Sequence, residues 1–212
     1  MDPEINKEFM DFGNTIFIVA ILSILSIIPE IGQILAIVSL ILLIKALGSI
    51  KNINYKLRNP HLEEFRTKMM YGIIIGIVGF ILVFVFMVIF IVMMSSVYYD
   101  YYAFYAMLAG LVILVIIAFI VILVAYYYQM KGWESFNTFL TQNSQMFPEM
   151  VARDAIDGSN NLKTAALCMM LSFLIITILI AFILQIIGYF KLAKLKDIES
   201  YQYQQQQAPQ QR

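Results

Sequence analysis

Three long stretches of the chain lack charged residues altogether. Residues 71–94, 104–129 and 164–190 contain no Asp, Glu, Lys or Arg. A helix needs about 20 mostly apolar residues to cross the hydrocarbon of a bilayer, and each stretch is longer than that. The whole chain is 61% apolar, above the roughly 45–50% of soluble domains. These runs exclude an ordinary soluble fold and predict a multi-pass protein of the cell membrane.

Other scarce residue types exclude several kinds of site. Cys168 is the single cysteine, so an internal disulfide and a cysteine-paired zinc site are impossible. His61 is the single histidine, which excludes haem held by two histidines of this chain. The apolar runs hold no ionisable acid or base, which proton-coupled carriers usually need. We therefore predict no catalytic residue, no cofactor and no metal, and the zero net charge indicates no nucleic-acid partner.

The first third of the chain predicts a short helical hairpin. Residues 1–12 read as a polar arm, and residues 13–28 and 33–47 are apolar but slightly short for full spans. Pro29 and Gly32 interrupt them, and both residue types favour a tight connection. The acidic start lacks the basic region of a secretory signal, so the first helix should be retained. A re-entrant pair that never crosses the bilayer is the alternative.

The boundaries of the next two helices have clear local signals. Asn59 and Pro60 suit the N-cap and first turn of a third helix. Glu64 and Lys68 then lie one turn apart and should pair. Three tyrosines at 126–128 end the fourth apolar run, and more tyrosines crowd residues 95–105. Tyrosine favours the headgroup layer, so these clusters predict aromatic belts at the two membrane surfaces.

Residues 130–163 form an amphipathic connection. Trp133, Phe136 and Leu140 recur at helical spacing, and Phe147 with Val151 begins a second apolar stripe. We predict interfacial amphipathic helices that lie flat on the membrane. The equal alternative is that they pack under the bundle as a cap or bind a partner.

The last apolar run, residues 164–190, is predicted to form one long tilted helix, because it has no Pro or Gly near its middle and an unmarked turn in lipid is costly. A second hairpin is the alternative, since residues 13–50 and 158–195 align without a gap. Lys and Arg mark the cytoplasmic side, and their distribution places the N-terminus and both long connections there. The Gln-rich tail, residues 197–212, should be disordered.

Small residues in the third and fourth helices predict close helix packing. They are Gly72, Gly76, Gly79, Ala106 and Gly110. Polar residues within the runs are few. Gln185, Thr177 and Ser172 form the possible polar seam in the last run.

These observations predict an all-α fold, a polytopic transmembrane bundle of about five membrane helices with two short ones in the N-terminal hairpin. Residues 13–196 form its single domain. The layout resembles the archaeal integral membrane proteins of domain-of-unknown-function family 996. The segments that carry the resemblance are residues 28–35, Lys45-Ala46-Leu47, residues 71–76 and residues 187–192. The resemblance implies an archaeal setting, and it transfers no catalytic residue because the family has no established activity.

Three functions follow as hypotheses. The first is a non-enzymatic scaffold or accessory subunit, whose partners are the lipid bilayer and other membrane subunits or a second copy. The alternative is a small channel or carrier that uses the polar seam. The third is a lipid-directed enzyme, for which one interfacial cluster of ionisable residues is available: His61, Glu63, Glu64, Arg66 and Lys68.

Overall fold

The computed structural model describes residues 2–96 and 101–201, which form six α-helices and no strand. The helices are α1 (Pro3–Leu25), α2 (Gly32–Leu57), α3 (Pro60–Ser96), α4 (Tyr101–Gln142), α5 (Glu149–Met170) and α6 (Ile175–Leu192). A short 3-10 segment, Ala193–Asp197, follows α6. Consecutive helices pair as three antiparallel hairpins, α1/α2, α3/α4 and α5/α6. Five helices are long and apolar enough to cross a membrane, which confirms the predicted all-α membrane bundle.

The predicted N-terminal hairpin is present. Its turn lies between Leu25 and Gly32, where the Gly32 amide donates to the Ile28 carbonyl at 2.7 Å. A side chain at Gly32 would collide with the backbone of Ser26, so this turn requires glycine. The predicted start of α3 is also confirmed, because the Asn59 side chain accepts a hydrogen bond from the His61 amide at 2.9 Å.

The expectation of a polar arm over residues 1–12 is wrong. Helix α1 begins at Pro3, with Asp2 accepting from the Glu4 amide at 2.9 Å. Phe9 and Phe12 are fully buried. The charged residues Glu8 and Asp11 interrupt the apolar residues along the sequence, but Ile5, Phe9 and Phe12 share one helical face and are buried. That face finds its packing partners only in the folded protein.

The amphipathic connection does not form separate surface helices. Residues 130–142 extend α4, and residues 149–163 begin α5. Trp133, Phe136 and Leu140 are buried. The prediction of helices lying flat on the membrane is therefore wrong, and the alternative, a cap packed under the bundle, is correct. Asn137 joins the two helices, since its amide donates to the Ile156 carbonyl and to the Ser159 hydroxyl, both at 2.8 Å.

The last apolar run is not one long helix. Helix α5 ends at Met170 and α6 begins at Ile175, and the two pack side by side. The turn satisfies its own backbone: the amides of Leu171 and Leu174 donate to carbonyls three residues earlier. The Thr177 hydroxyl donates to the carbonyls of Leu171 and Leu174 at 2.7 Å. The Thr177 hydroxyl therefore stabilises a turn that was expected to need Pro or Gly. The prediction of one long helix is wrong, and the alternative of a second hairpin is correct.

The C-terminal segment returns to the end of the molecule where α1 begins. The backbone of Leu195 and Lys196 packs on Gly13, and Leu195 and Ile198 are fully buried. The chain is helical to Tyr201. The predicted start of the disordered tail at residue 197 is therefore wrong. Residues 202–212 lie outside the described part of the chain, as do residues 97–100 of the tyrosine-rich connection.

An aromatic cluster at this end holds the hairpins together. The Phe136 ring lies 4.5 Å from that of Phe65 on α3 and 5.6 Å from that of Phe12 on α1. The Trp133 ring lies 6.4 Å from Tyr189 on α6. Aromatic contacts of this kind add about 0.5–1.5 kcal/mol each beyond their buried area. Side chains further along the apolar runs are mostly exposed, as lipid-facing surface is.

Phe136→Ala should therefore lower the free energy of unfolding by about 3–5 kcal/mol, because it leaves a cavity where three hairpins meet. The fluorescence of Trp133, the single tryptophan, reports unfolding in mild detergent directly. Phe84→Ala is the matched control, since Phe84 is 57% exposed and should change stability by only about 0.5 kcal/mol. Equal losses from the two variants would contradict the assignment of the core to this end.

Candidate functional site

A charged groove lies between α3 and α4, just outside their apolar runs. It has a volume of about 460 Å³. Helix α3 contributes His61, Glu64 and Lys68, and α4 contributes Lys131 and Glu134. Tyr127 and Tyr128 line its membrane side. The structure thus brings three residues of the predicted ionisable cluster into one groove, whereas Glu63 and Arg66 do not line it.

The groove charges are paired within each helix. The Lys68 ammonium contacts the Glu64 carboxylate, as the sequence spacing predicted. Lys131 lies 2.7 Å from Glu134. These side chains are 27–46% exposed, so solvent screens both pairs and neither should contribute much to stability. Sequence reasoning missed the α4 half of the groove, although the spacing of Lys131 and Glu134 at i, i+3 signals a pair.

The hydroxyls beside these charges are held by their own helix. Ser135 donates to the Lys131 carbonyl and Thr138 to the Glu134 carbonyl, both at 3.0 Å. Neither hydroxyl is held by a histidine in these bonds, as a nucleophile would be. Two ammonium groups and two carboxylates at the edge of the apolar surface suit the phosphate and ammonium of a zwitterionic lipid headgroup. The groove is therefore chemically suited to binding such a headgroup.

The helix-packing glycines divide into two groups. A methyl group at Gly72 would lie 2.9 Å from the Ala125 carbonyl of α4, and one at Gly79 would collide with Val121. These two glycines therefore allow α3 and α4 to approach closely. Gly76 and Gly110 have open space around them, so the predicted contact does not include them. The side chain of Ala106 lies outside the described part of the structure.

A closer glycine contact, not predicted from the sequence, joins α5 and α6. A methyl group at Gly158 would lie 2.8 Å from the Gly188 carbonyl, and one at Gly188 would lie 2.9 Å from the Gly158 carbonyl. Lys191 pairs with Asp157 at 2.9 Å beside it. The two glycines are 30 residues apart, so no spacing rule within one helix could find them.

The predicted polar seam lies entirely on the α5/α6 hairpin. Thr177 closes the turn, as described above, and Ser172 lies within that turn. The Gln185 amide donates to the Tyr189 hydroxyl at 3.4 Å. Thr177 and Gln185 therefore bond within the hairpin. Among the residues that the structure describes, no group of three or more His, Cys, Asp or Glu side chains could hold a metal ion.

No protein-family model matches the chain, and neither does a curated protein or a solved structure. The resemblance to family 996 and the archaeal setting therefore stay predictions.

Gly158→Ala should destabilise the α5/α6 hairpin by about 1–3 kcal/mol, because its methyl group overlaps two backbone atoms. Gly76→Ala is the matched control: it is also a helical glycine but has nothing within 4 Å, so alanine should be neutral or slightly stabilising. Thermal unfolding followed by helical circular dichroism measures both. A tolerated Gly158→Ala would contradict the close approach of α5 and α6.

Lys131→Ala should leave the midpoint of chemical denaturation nearly unchanged, because the Lys131–Glu134 pair is exposed to solvent. Chemical denaturation in mixed micelles measures this, with Arg153→Ala as a control cation outside the groove. A midpoint clearly below that of Arg153→Ala would show that the pair has a structural role, which its exposure does not predict.

Proposed function

We propose that the protein is a non-enzymatic integral membrane scaffold or accessory subunit. The observation that carries the proposal is the uneven packing of the three hairpins. At one end, the aromatic cluster joins all of them. At the other end, side chains of α3 and α4 such as Phe84 and Ile113 are 57% and 58% exposed. The aromatic cluster forms a packed base, and beyond it the α3/α4 hairpin has few contacts with other helices of this chain. Such a hairpin is suited to docking with helices of another subunit.

The orientation of this scaffold follows from its charges. Apart from Lys45, which lies near the end of the apolar run of α2, the positively charged residues of the described chain lie outside the apolar runs, at the end that carries the aromatic cluster. Excess Lys and Arg marks the cytoplasmic side. We infer that the N-terminus, both long connections and the segment after α6 face the cytoplasm. Five crossings would place Lys191, Lys194 and Lys196 on the opposite side from the other positive charges. The second hairpin returns them to the same end.

The alternative, a small channel or carrier, has weaker support. It needs polar groups that are free to contact a moving solute. Thr177 and Gln185 of the predicted seam bond within their own hairpin instead. The lipid-directed enzyme also lacks support, because the carboxylates of the groove are paired with lysines. Both alternatives stay hypotheses, and the scaffold requires neither polar path nor activated group.

Crosslinking in native membranes tests the scaffold proposal. A photoreactive amino acid at Phe84 or Ile113 should capture a helix of a partner subunit that also co-purifies at fixed stoichiometry with the tagged chain. The same amino acid at Phe139, which is fully buried, is the matched control and should capture only this chain. Purification as a lone monomer, with crosslinks to lipid alone at both exposed positions, would overturn the proposal.

A further inference from the structure

Ring contacts between helices provide a common scale of depth in the membrane. The Tyr71 and Tyr128 rings lie 5.7 Å apart, at the height where the apolar run of α3 begins and that of α4 ends. We call this height the tyrosine level. From it, α3 continues 25 residues to Ser96, or ~38 Å at 1.5 Å per residue. The hydrocarbon layer is about 30 Å thick, so the α3/α4 hairpin is long enough to cross it.

The α5/α6 hairpin is much shorter on this scale. The Phe173 ring in its turn lies 6.4 Å from Phe119 of α4. Phe119 is nine residues from Tyr128, which places the turn ~13 Å beyond the tyrosine level. A second estimate uses α6. The Tyr189 ring is level with that of Trp133, which lies ~8 Å on the polar side of the tyrosine level. Helix α6 rises ~21 Å from Tyr189 to Ile175, which again places the turn ~13 Å beyond the tyrosine level. The turn therefore lies near half the depth of the hydrocarbon.

The α1/α2 hairpin ends at a similar depth. Phe12 is level with Phe136, which lies eight residues, or ~12 Å, on the polar side of Tyr128. Helix α1 rises ~20 Å from Phe12 to Leu25. Its end is therefore ~8 Å beyond the tyrosine level, and the turn through Pro29 and Glu30 continues from there. Helix length alone allows α1 to cross a membrane, but much of that length lies in the aromatic cluster.

The bilayer cannot shift along this scale to let the short hairpins cross. Moving it toward the aromatic cluster would bury Lys68 and Lys131 in hydrocarbon. It would also leave the far half of α3/α4 in water. That half is apolar and exposed, including Phe80, Phe84 and Ile91 on α3. Exposed apolar surface of this extent requires lipid or protein to cover it.

We propose that α1/α2 and α5/α6 are half-depth hairpins, which enter and leave the bilayer on the same face and turn near its midplane. Only α3/α4 crosses. The two turns differ in chemistry. The α5–α6 turn contains no ionisable residue, and Thr177 bonds two of its carbonyls. Such a turn is tolerated in hydrocarbon because its polar groups are paired internally. We call it the dry turn.

The α1–α2 turn carries Glu30, which is exposed. An ionised carboxylate near the midplane is costly, and local thinning with water entry reduces that cost. We infer that the bilayer is locally thinned and hydrated at Glu30. This turn is the wet turn. In this proposal the bilayer around the two short hairpins is locally deformed. It is hydrated at the wet turn of α1/α2 and dry at the dry turn of α5/α6.

Spin labels on single cysteines test the depths. In a Cys168→Ala background, labels replace Phe173 in the dry turn, Phe80 at the same calculated depth on α3, and Ile91 ~30 Å beyond Tyr71. All three side chains are exposed. In phosphatidylcholine liposomes, the Phe173 label should match Phe80 in its ratio of oxygen to nickel-chelate collision rates. A ratio equal to that of Ile91 would place the α5–α6 turn at a membrane surface instead of near the midplane, and would overturn the proposal.

A label at Ile31 tests the wet turn. Its collision rate with the nickel chelate should exceed that of the Phe173 label several-fold, and should fall several-fold when Glu30→Leu is added. Glu63→Leu, which removes an exposed carboxylate on the polar side, is the matched control and should leave the rate unchanged. An Ile31 label that is as protected as Phe173, with or without Glu30, would overturn the hydrated turn.

Hydrogen exchange on the unsubstituted protein provides a measurement that needs no variant. In the same liposomes, amides around Glu30 should exchange at least tenfold faster than amides around Phe173. Fast exchange at both turns would show that both reach water, and would exclude the dry turn. Failure of these tests leaves the scaffold proposal intact, because crosslinking at Phe84 does not depend on the depth of the short hairpins.

Discussion

The contacts made by Phe136 are the interaction on which the rest of the structure depends. Its ring packs on α1 through Phe12 and on α3 through Phe65, while Trp133 one turn earlier reaches Tyr189 on α6. Lipid offers no hydrophobic gain for helix association. Aromatic side chains at the polar ends of the helices do gain hydrophobic stabilisation when they pack together, because they would otherwise contact water. The three hairpins are therefore joined where the hydrophobic effect operates.

A second constraint shapes the other end of the molecule. Backbone groups surrounded by hydrocarbon need internal partners, which restricts where the chain can turn. The α5–α6 turn meets this condition through the Thr177 hydroxyl and a series of amide bonds to carbonyls three residues earlier. A polar residue that looked like part of a solute path is thus a structural element of the turn. The side chain of Gln185 also bonds within its own hairpin, to Tyr189.

Local signals predicted what depends on neighbours in the chain. Pro29 and Gly32 marked the first hairpin, Asn59 marked the start of α3, and the Glu64–Lys68 pair followed from helical spacing. The meeting of the α3 and α4 halves of the groove and the contact of Gly158 with Gly188 could not be predicted in this way. Each joins residues from different parts of the chain, and their meeting depends on how whole helices pack.

The sequence by itself determined that the chain is helical and membrane-embedded, because composition and run length decide which solvent each segment prefers. It also determined which end carries the positive charge. Only the tertiary structure decided that the N-terminal arm belongs to the core, that residues 164–190 fold back on themselves, and that α4 continues into the aromatic cluster. Those outcomes depend on contacts such as Phe9 with Phe139, Phe12 with Phe136 and Trp133 with Tyr189. The members of each pair are distant in the chain and become neighbours only when the helices pack.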